Sequence, residues 1–308
     1  MKEEAFRVND RDIARWAQVS GDRASWQELA ERLDSLPPET AYVLSRAMAW
    51  RLRPKLDPRT GIRDDNDAVG MTLAGAAYLT RAVRVRGART ADHVTDEQWE
   101  RYFALREEAE PLLRAALAVR PNYGLCAAWL MALAVDEADD FKDEAEAALR
   151  GATAVPVSGF SKLLSARAEK WGGSHRAMWQ IARSFAQRRP PWTAALIAKA
   201  HYEHHLYLAQ MDEDADADAR AEAYFRNASV REELLQLSEA LWEGTTRDPY
   251  EAIFGHDVLA ATFAAAEMPE QAVRHMRQTG RFGDPALLSG GPWWRRALMR
   301  KLHGLPLW

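Results

Sequence analysis

The segment His201-Tyr-Glu-His-His205 carries three imidazoles within five residues. Residues four apart share a helix face, so His201 and His205 are spaced to offer two ring nitrogens to one metal ion, with His204 turned away by about a quarter turn. The order is not that of a zinc protease, in which Glu directly follows the first His, and a third ligand would have to come from another helix. The plainer reading is a pair of histidines that line a groove or hydrogen-bond between helices, and no cofactor is expected.

Asp212-Glu-Asp-Ala-Asp-Ala-Asp218 has the carboxylate density of a calcium loop. Counted from Asp212 or from Asp214, it lacks the Gly at the sixth position and the Glu at the twelfth, so it reads as a solvated acidic turn ahead of a helix. Arg81, Arg84, Arg86 and Arg89 surround Gly87, and Arg51, Arg53, Lys55, Arg59 and Arg63 lie in the preceding loop. Guanidinium forks of this kind grip phosphate or an acidic peptide. Here Asp57, Asp64, Asp65 and Asp67 interrupt them, and an ion-paired surface is expected. Nucleophile and phosphate-loop motifs are missing: the chain has no Gly-x-Ser-x-Gly, no Walker loop and no GxGxxG after a strand. Cys126 lies among Leu125, Ala127, Ala128, Trp129 and Leu130, where a thiol packs as a small hydrophobe.

The elements that position these residues are helices. The 308 residues include 56 Ala against 14 Val and 5 Ile, and Ala favours helix where β-branched residues favour strands. Trp, at 12, outnumbers Phe and Tyr, so the large core-filling residues are often indoles set beside methyl-sized ones. With 41 basic and 45 acidic residues the net charge is -4, without the basic excess of a nucleic-acid binder. No apolar run reaches the ~18 residues of a membrane span, and MKEEAFRVNDRD lacks the apolar core of a secretory signal. With one cysteine and therefore no intrachain disulfide, a cytoplasmic protein is expected.

Thr95-Asp-Glu-Gln98 and Ser229-Val-Arg-Glu232 have the form of capping boxes, and Asp248-Pro249 starts a helix with proline at its first position. The apolar spacing predicts helices near 10–20, 24–36, 39–51, 67–85, 96–119, 122–136, 139–151, 158–171, 174–188, 191–211, 217–227, 229–243, 248–266, 269–279 and 292–303. Residues 52–66, 86–94 and 280–291 are the longer connections. Pro292–His303 reads as a basic amphipathic helix with Trp294, Leu298 and Leu302 as its stripe, suited to capping the last apolar face of a stack or to contacting a partner or an anionic surface.

The spacing Ala109, Leu113, Ala116, Pro121, the following Leu130 and Ala134, and the run Leu259-Ala260, Phe263, Ala272, Met276 resemble tetratricopeptide repeats over roughly 105–155 and 255–285. Met131 departs from the small residue of that motif, and the pair 10–36 fits in shape only. Glu169-Lys-Trp-Gly-Gly-Ser174, followed by Met178, resembles a junction in uncharacterised bacterial tetratricopeptide-like proteins. There two glycines turn the chain, Ser174 caps the next helix and Trp171 fills the corner. The resemblance implies an all-α fold, a right-handed α-solenoid of antiparallel helix pairs with about 14–15 helices, as one domain over 1–308 or with a subdivision near 1–90 and 91–308. It brings no established activity.

The expectation is a noncatalytic interaction protein that binds a peptide, a protein segment or a small ligand on a concave helical face. Trp129, Trp179, Tyr202, His205 and Phe263 are the residues expected to line it. The rival is a helical enzyme, metal-dependent through His201 and His205. The charge balance argues against nucleic acid.

Overall fold

A computed structural model describes residues 23–52, 56–87, 93–186 and 191–279. Within them the chain forms thirteen α-helices and no strand, apart from an isolated bridge between Tyr123 and Thr153. The expected helices at 10–20 and 292–303 lie outside the described residues. By packing, the chain falls into two compact units, Met1–Gly159 and Phe160–Trp308.

The first unit holds α1 (Arg23–Leu33), α2 (Pro38–Arg51), α3 (Ala68–Arg86), α4 (Asp96–Val119), α5 (Gly124–Leu133), α6 (Asp139–Gly151) and the start of α7 (Val157–Ala166). α3 is its axis. Leu73, Ala74, Ala76 and Ala77 are fully buried there, facing Ala109, Leu113 and Ala116 of α4 across an alanine-lined seam. At Gly75 a Cβ would stand 2.8 Å from the Leu113 side chain, so only glycine admits that leucine at this depth. Thr95 and Gln98 form the expected capping box at the start of α4. Cys126 is wholly buried on α5 and donates to the Leu113 carbonyl at 3.3 Å. Burial pushes its thiol up to about 12. Glu39, at the first turn of α2, is buried too, and its carboxylate accepts from the Ser158 N–H at 2.9 Å and from the Ser158 hydroxyl, capping α7.

Residues 56–67 lead into α3. Pro58–Gly61 is a 3-10 turn capped by Asp57, which also accepts from Tyr78 Oη at 2.8 Å. The basic residues there are engaged. Arg59 pairs with Glu108, Arg63 grips Asp67, Arg81 donates to the Leu56 carbonyl, and Arg84 donates to the Trp50 carbonyl. Arg53, Lys55 and Arg89 lie outside the described residues.

The second unit holds the rest of α7, then α8 (His175–Ala186), α9 (Ala195–Gln210), α10 (Ala217–Tyr224), α11 (Ala228–Glu243), α12 (Pro249–Ala265) and α13 (Pro269–Thr279). The helix expected over 158–171 ends early, at Ala166, followed by a 3-10 turn at Glu169–Trp171. The carbonyls of the two residues just past the helix are taken by the turn, since Gly173 N–H donates to Ala168 O at 3.1 Å and Ser174 N–H to Arg167 O at 3.0 Å. Gly172 takes φ +81° there, and Ser174 Oγ accepts from Ala177 N–H to start α8, as the junction predicts. α11 departs from its expected cap. Asn227, not Ser229, closes the first turn, and the Ser229 hydroxyl donates to Asn227 at 2.7 Å instead of capping. α12 is buried along nearly its whole length, with Gly255 against Leu241 of α11, and α13 packs on it through Ala272, Val273 and Met276.

One ion cluster ties the first unit. Arg106 on α4, 5% exposed, donates to Tyr102 Oη and to the Leu133 carbonyl, both at 2.6 Å, and pairs with Asp136 and Glu137. Replacing Arg106 by Met removes the donor while its acceptors stay in place. Chemical denaturation should then show a loss of about 3 kcal/mol; a loss below about 1 kcal/mol would mean that the acceptors rehydrate freely.

Candidate functional site

α9 carries the His-Tyr-Glu-His-His segment, and its periodicity sends the polar residues to different neighbours. Lys199 and Glu203, one turn apart, face α7. The Lys199 ammonium donates to Ser161 O at 2.9 Å, Ser161 Oγ at 2.6 Å and Ser165 Oγ at 2.8 Å, which satisfies all three of its protons. Lys170 pairs with Glu203 at 2.6 Å. Burial opposes ionisation of Glu203, but Lys170 and Lys199 outweigh it and hold the carboxyl below its usual range. A saturated ammonium is a poor base, so this network locks α7 to α9 and does not activate Ser161.

His201 faces the other way and is 3% exposed. Its Nε2 lies 2.9 Å from Glu233 of α11 and its Nδ1 2.8 Å from Tyr224 Oη of α10. Burial opposes the charge of Glu233, while hydrogen bonds from Arg183 and His201 prevail and keep it ionised. Nε2 therefore carries the proton, and the Tyr224 hydroxyl donates to Nδ1. Arg183 of α8 closes the arrangement, holding Glu233 through both nitrogens at 2.9 and 3.2 Å and lying over the Trp179 ring at 5.2 Å. Trp179 stands edge-on to His201, with ring centroids 4.7 Å apart. Around this core His175 stacks on His204 at 4.1 Å, His204 on Tyr224 at 4.8 Å, and His205 packs on Phe225.

Burial pulls His201 and His205 below the ordinary imidazole range, and burial with His175 nearby pulls His204 down to about 4. Burial also raises Tyr224. Both shifts favour a neutral phenol against a neutral imidazole, the reverse of what makes a tyrosine nucleophilic.

Two shallow depressions flank the Arg183–Glu233 bridge. One, of about 460 Å³, is lined by Arg176, Trp179, Gln180, Arg183 and Ser184, all on one face of α8. The other, of about 370 Å³, lies along Ser229, Val230, Glu232, Glu233 and Gln236 of α11.

The structure divides the expected binding residues. Trp179 and His205 lie around His201, and Tyr202 is half-buried on the same helix. Trp129 belongs to the first unit, where it is 4% exposed, stacks on Tyr42 and donates from Nε1 to Ser45 at 3.0 Å. Phe263 is 0% exposed within α12. Both are core residues, so the expected face loses them. As for a metal, both His201 nitrogens already have partners, and among the described residues no group of three or more His, Cys, Asp and Glu is placed to hold an ion. The acidic run is gathered by a guanidinium: Arg220 reaches Asp212, Asp214 and Asp216 at 2.7, 2.8 and 3.1 Å. Tyr224, Arg183 and Glu233 are the site residues that the sequence reading missed. Among the described residues no helix is long and apolar enough to cross a membrane. No protein-family model matches the chain, and comparison with curated proteins and with solved structures returns no match.

Glu233 works against the burial that depresses His201. Glu233→Gln should therefore move the His201 titration, followed by NMR of its ring protons, to lower pH than in the wild type. An unmoved titration would show that the two side chains do not meet in solution.

Proposed function

We propose that the chain is a noncatalytic interaction protein built of tetratricopeptide-like helix pairs, and that its second unit takes an acidic peptide or protein segment along the outer face of α8. The observation that carries this reading is the Trp179–Arg183 stack set in a depression that Arg176, Gln180 and Ser184 complete on the same helical stripe. An indole framed by guanidinium groups is the composition of an interface hot spot. The depression is open and follows a helix, a shape suited to a chain segment, whereas small ligands are held in enclosed apolar cavities. Arg176 is exposed and supplies the charge that an acidic partner would meet.

The repeat reading is supported by the depth of the residues that resemble the motif. Ala109, Leu113, Ala116, Ala134, Ala260, Phe263, Ala272 and Met276 are all wholly buried between helices that pack consecutively. The noncatalytic reading is supported by the neutral Tyr224–His201 contact and the saturated Lys199, neither of which presents an activated group.

A displayed peptide library selected on the protein should enrich acidic sequences with an aromatic anchor. Binding of the enriched peptides should fall about tenfold or more, as an interface hot spot requires, in both Arg176→Glu and Trp179→Ala, with helicity by circular dichroism retained. Failure to enrich, or peptides indifferent to Arg176→Glu, would remove the proposal.

A further inference from the structure

α12 and α13 meet through two imidazoles. His256 and His275 are both buried, with their Nδ1 atoms 2.8 Å apart. Nitrogens at that separation share one proton, one ring donating and the other accepting through its lone pair. Ser238 Oγ of α11 lies 2.9 Å from His275 Nε2. Trp242 of α11 packs against both rings, at 4.7 and 5.6 Å, Trp192 of the 3-10 turn at Pro191–Ala194 stands 6.4 Å from His256, and Phe263 stacks on His275 at 5.6 Å. Among the described residues, the charged groups around them are Arg274 of α13, whose guanidinium lies over Trp242 at 4.6 Å, and Glu239 of α11, which pairs with Arg274 at 2.7 Å. Asp257, next to His256 on α12, is buried as well. No carboxylate of the described residues contacts either ring.

We propose that the His256–His275 pair is a proton-operated latch that holds α13 against α11 and α12 and releases it on acidification. A second proton turns the accepting nitrogen into a donor, so two N–H groups face each other at hydrogen-bond distance and the contact becomes repulsive. The surround makes this costly. Burial, with Arg274 adding to it, lowers His256 to about 4. Burial, then the neighbouring His256 and Arg274, lowers His275 to about 3. Once α13 leaves, each ring regains an ordinary pKa of about 6.5. The docked state therefore binds fewer protons than the released one below that value. Its stability is complete above about pH 6.5 and falls as the pH drops towards the docked pKa values. α13 is the element that gives way, because it is held by one face, Ala272, Val273, His275, Met276 and Thr279.

Hydrogen exchange of α13 amides, corrected for intrinsic rates at about pH 7.5 and about pH 5, tests this on the full chain. One ring released from a pKa of about 4 to about 6.5 raises the opening constant roughly thirtyfold between those conditions. The α13 amides should show at least that rise, ahead of the amides of α3, a helix without histidine. In His256→Asn/His275→Asn, whose amides hydrogen-bond without titrating, the rise should be lost. Equal rises in wild type and double variant, an unchanged wild type, or opening of α3, which carries no histidine, together with α13 would each overturn the latch. If the double variant does not fold, His256→Asn alone decides. It leaves one titrating ring in place of two, so the acid-induced rise must shrink about tenfold or more; a rise that stays equal or grows counts against the proposal.

Discussion

Polar groups inside a helical core must be partnered or they cost several kcal/mol each, and the second unit depends on how α9 meets that demand. Lys199, His201 and Glu203 lie within five residues of one another on this helix, and all three are buried. Each is satisfied by a different neighbour: α7 through Ser161 and Ser165, the turn after it through Lys170, α10 through Tyr224 and α11 through Glu233. Apolar ridges alone tolerate a slip of one helical turn, because leucine replaces leucine. A slip here would strand an ammonium or a carboxylate. The polar residues of α9 thus set the register of the helices around it. Arg106 and Glu39 do comparable work in the first unit, each fastening a helix to an element distant in sequence.

The same demand shapes the chemistry of the site. A histidine between a carboxylate and a hydroxyl has the connectivity of a proton relay, yet connectivity is not activation. In hydrolytic relays the third group must lose its proton readily. Around Tyr224 the low-polarity setting favours the neutral phenol, and the nearest charge, that of Glu233, disfavours a phenolate further. The arrangement is neutral on the inside, at the Tyr224–His201 contact, and charged on the outside, at the Arg183–Glu233 bridge.

Much of the fold was legible because helical signals are local. The capping box at Thr95, the proline start at Pro249 and the double-glycine turn at Gly172 are set by neighbours within four residues, and each stands where the sequence placed it. Ser229 shows the limit. Two competent caps lie two residues apart, and the choice fell to Asn227 by a contact that spacing does not rank. The site was legible only on its own helix. His201 and His205 could be singled out from their four-residue spacing, but Tyr224 and Glu233 reach His201, and Arg183 reaches Glu233, across 23 to 50 residues of sequence, with no periodicity that links them. Trp129 and Phe263 misled for the complementary reason: an indole and a phenyl ring look alike in a sequence whether they end in a core or on a face. Only packing against Tyr42 and His275 distinguishes them.

The burial of Cys126 has a practical meaning. Its thiol is sealed beneath the seam between α3 and α4, donates inward to the Leu113 carbonyl, and is pushed up to about 12. A thiol so placed is blind to oxidants and alkylating reagents while the first unit is folded, since the reactive species is the thiolate and neither it nor access is provided. The chain has one cysteine. Its rate of labelling is therefore a clock for the opening of the first unit alone, silent about anything that happens in the second.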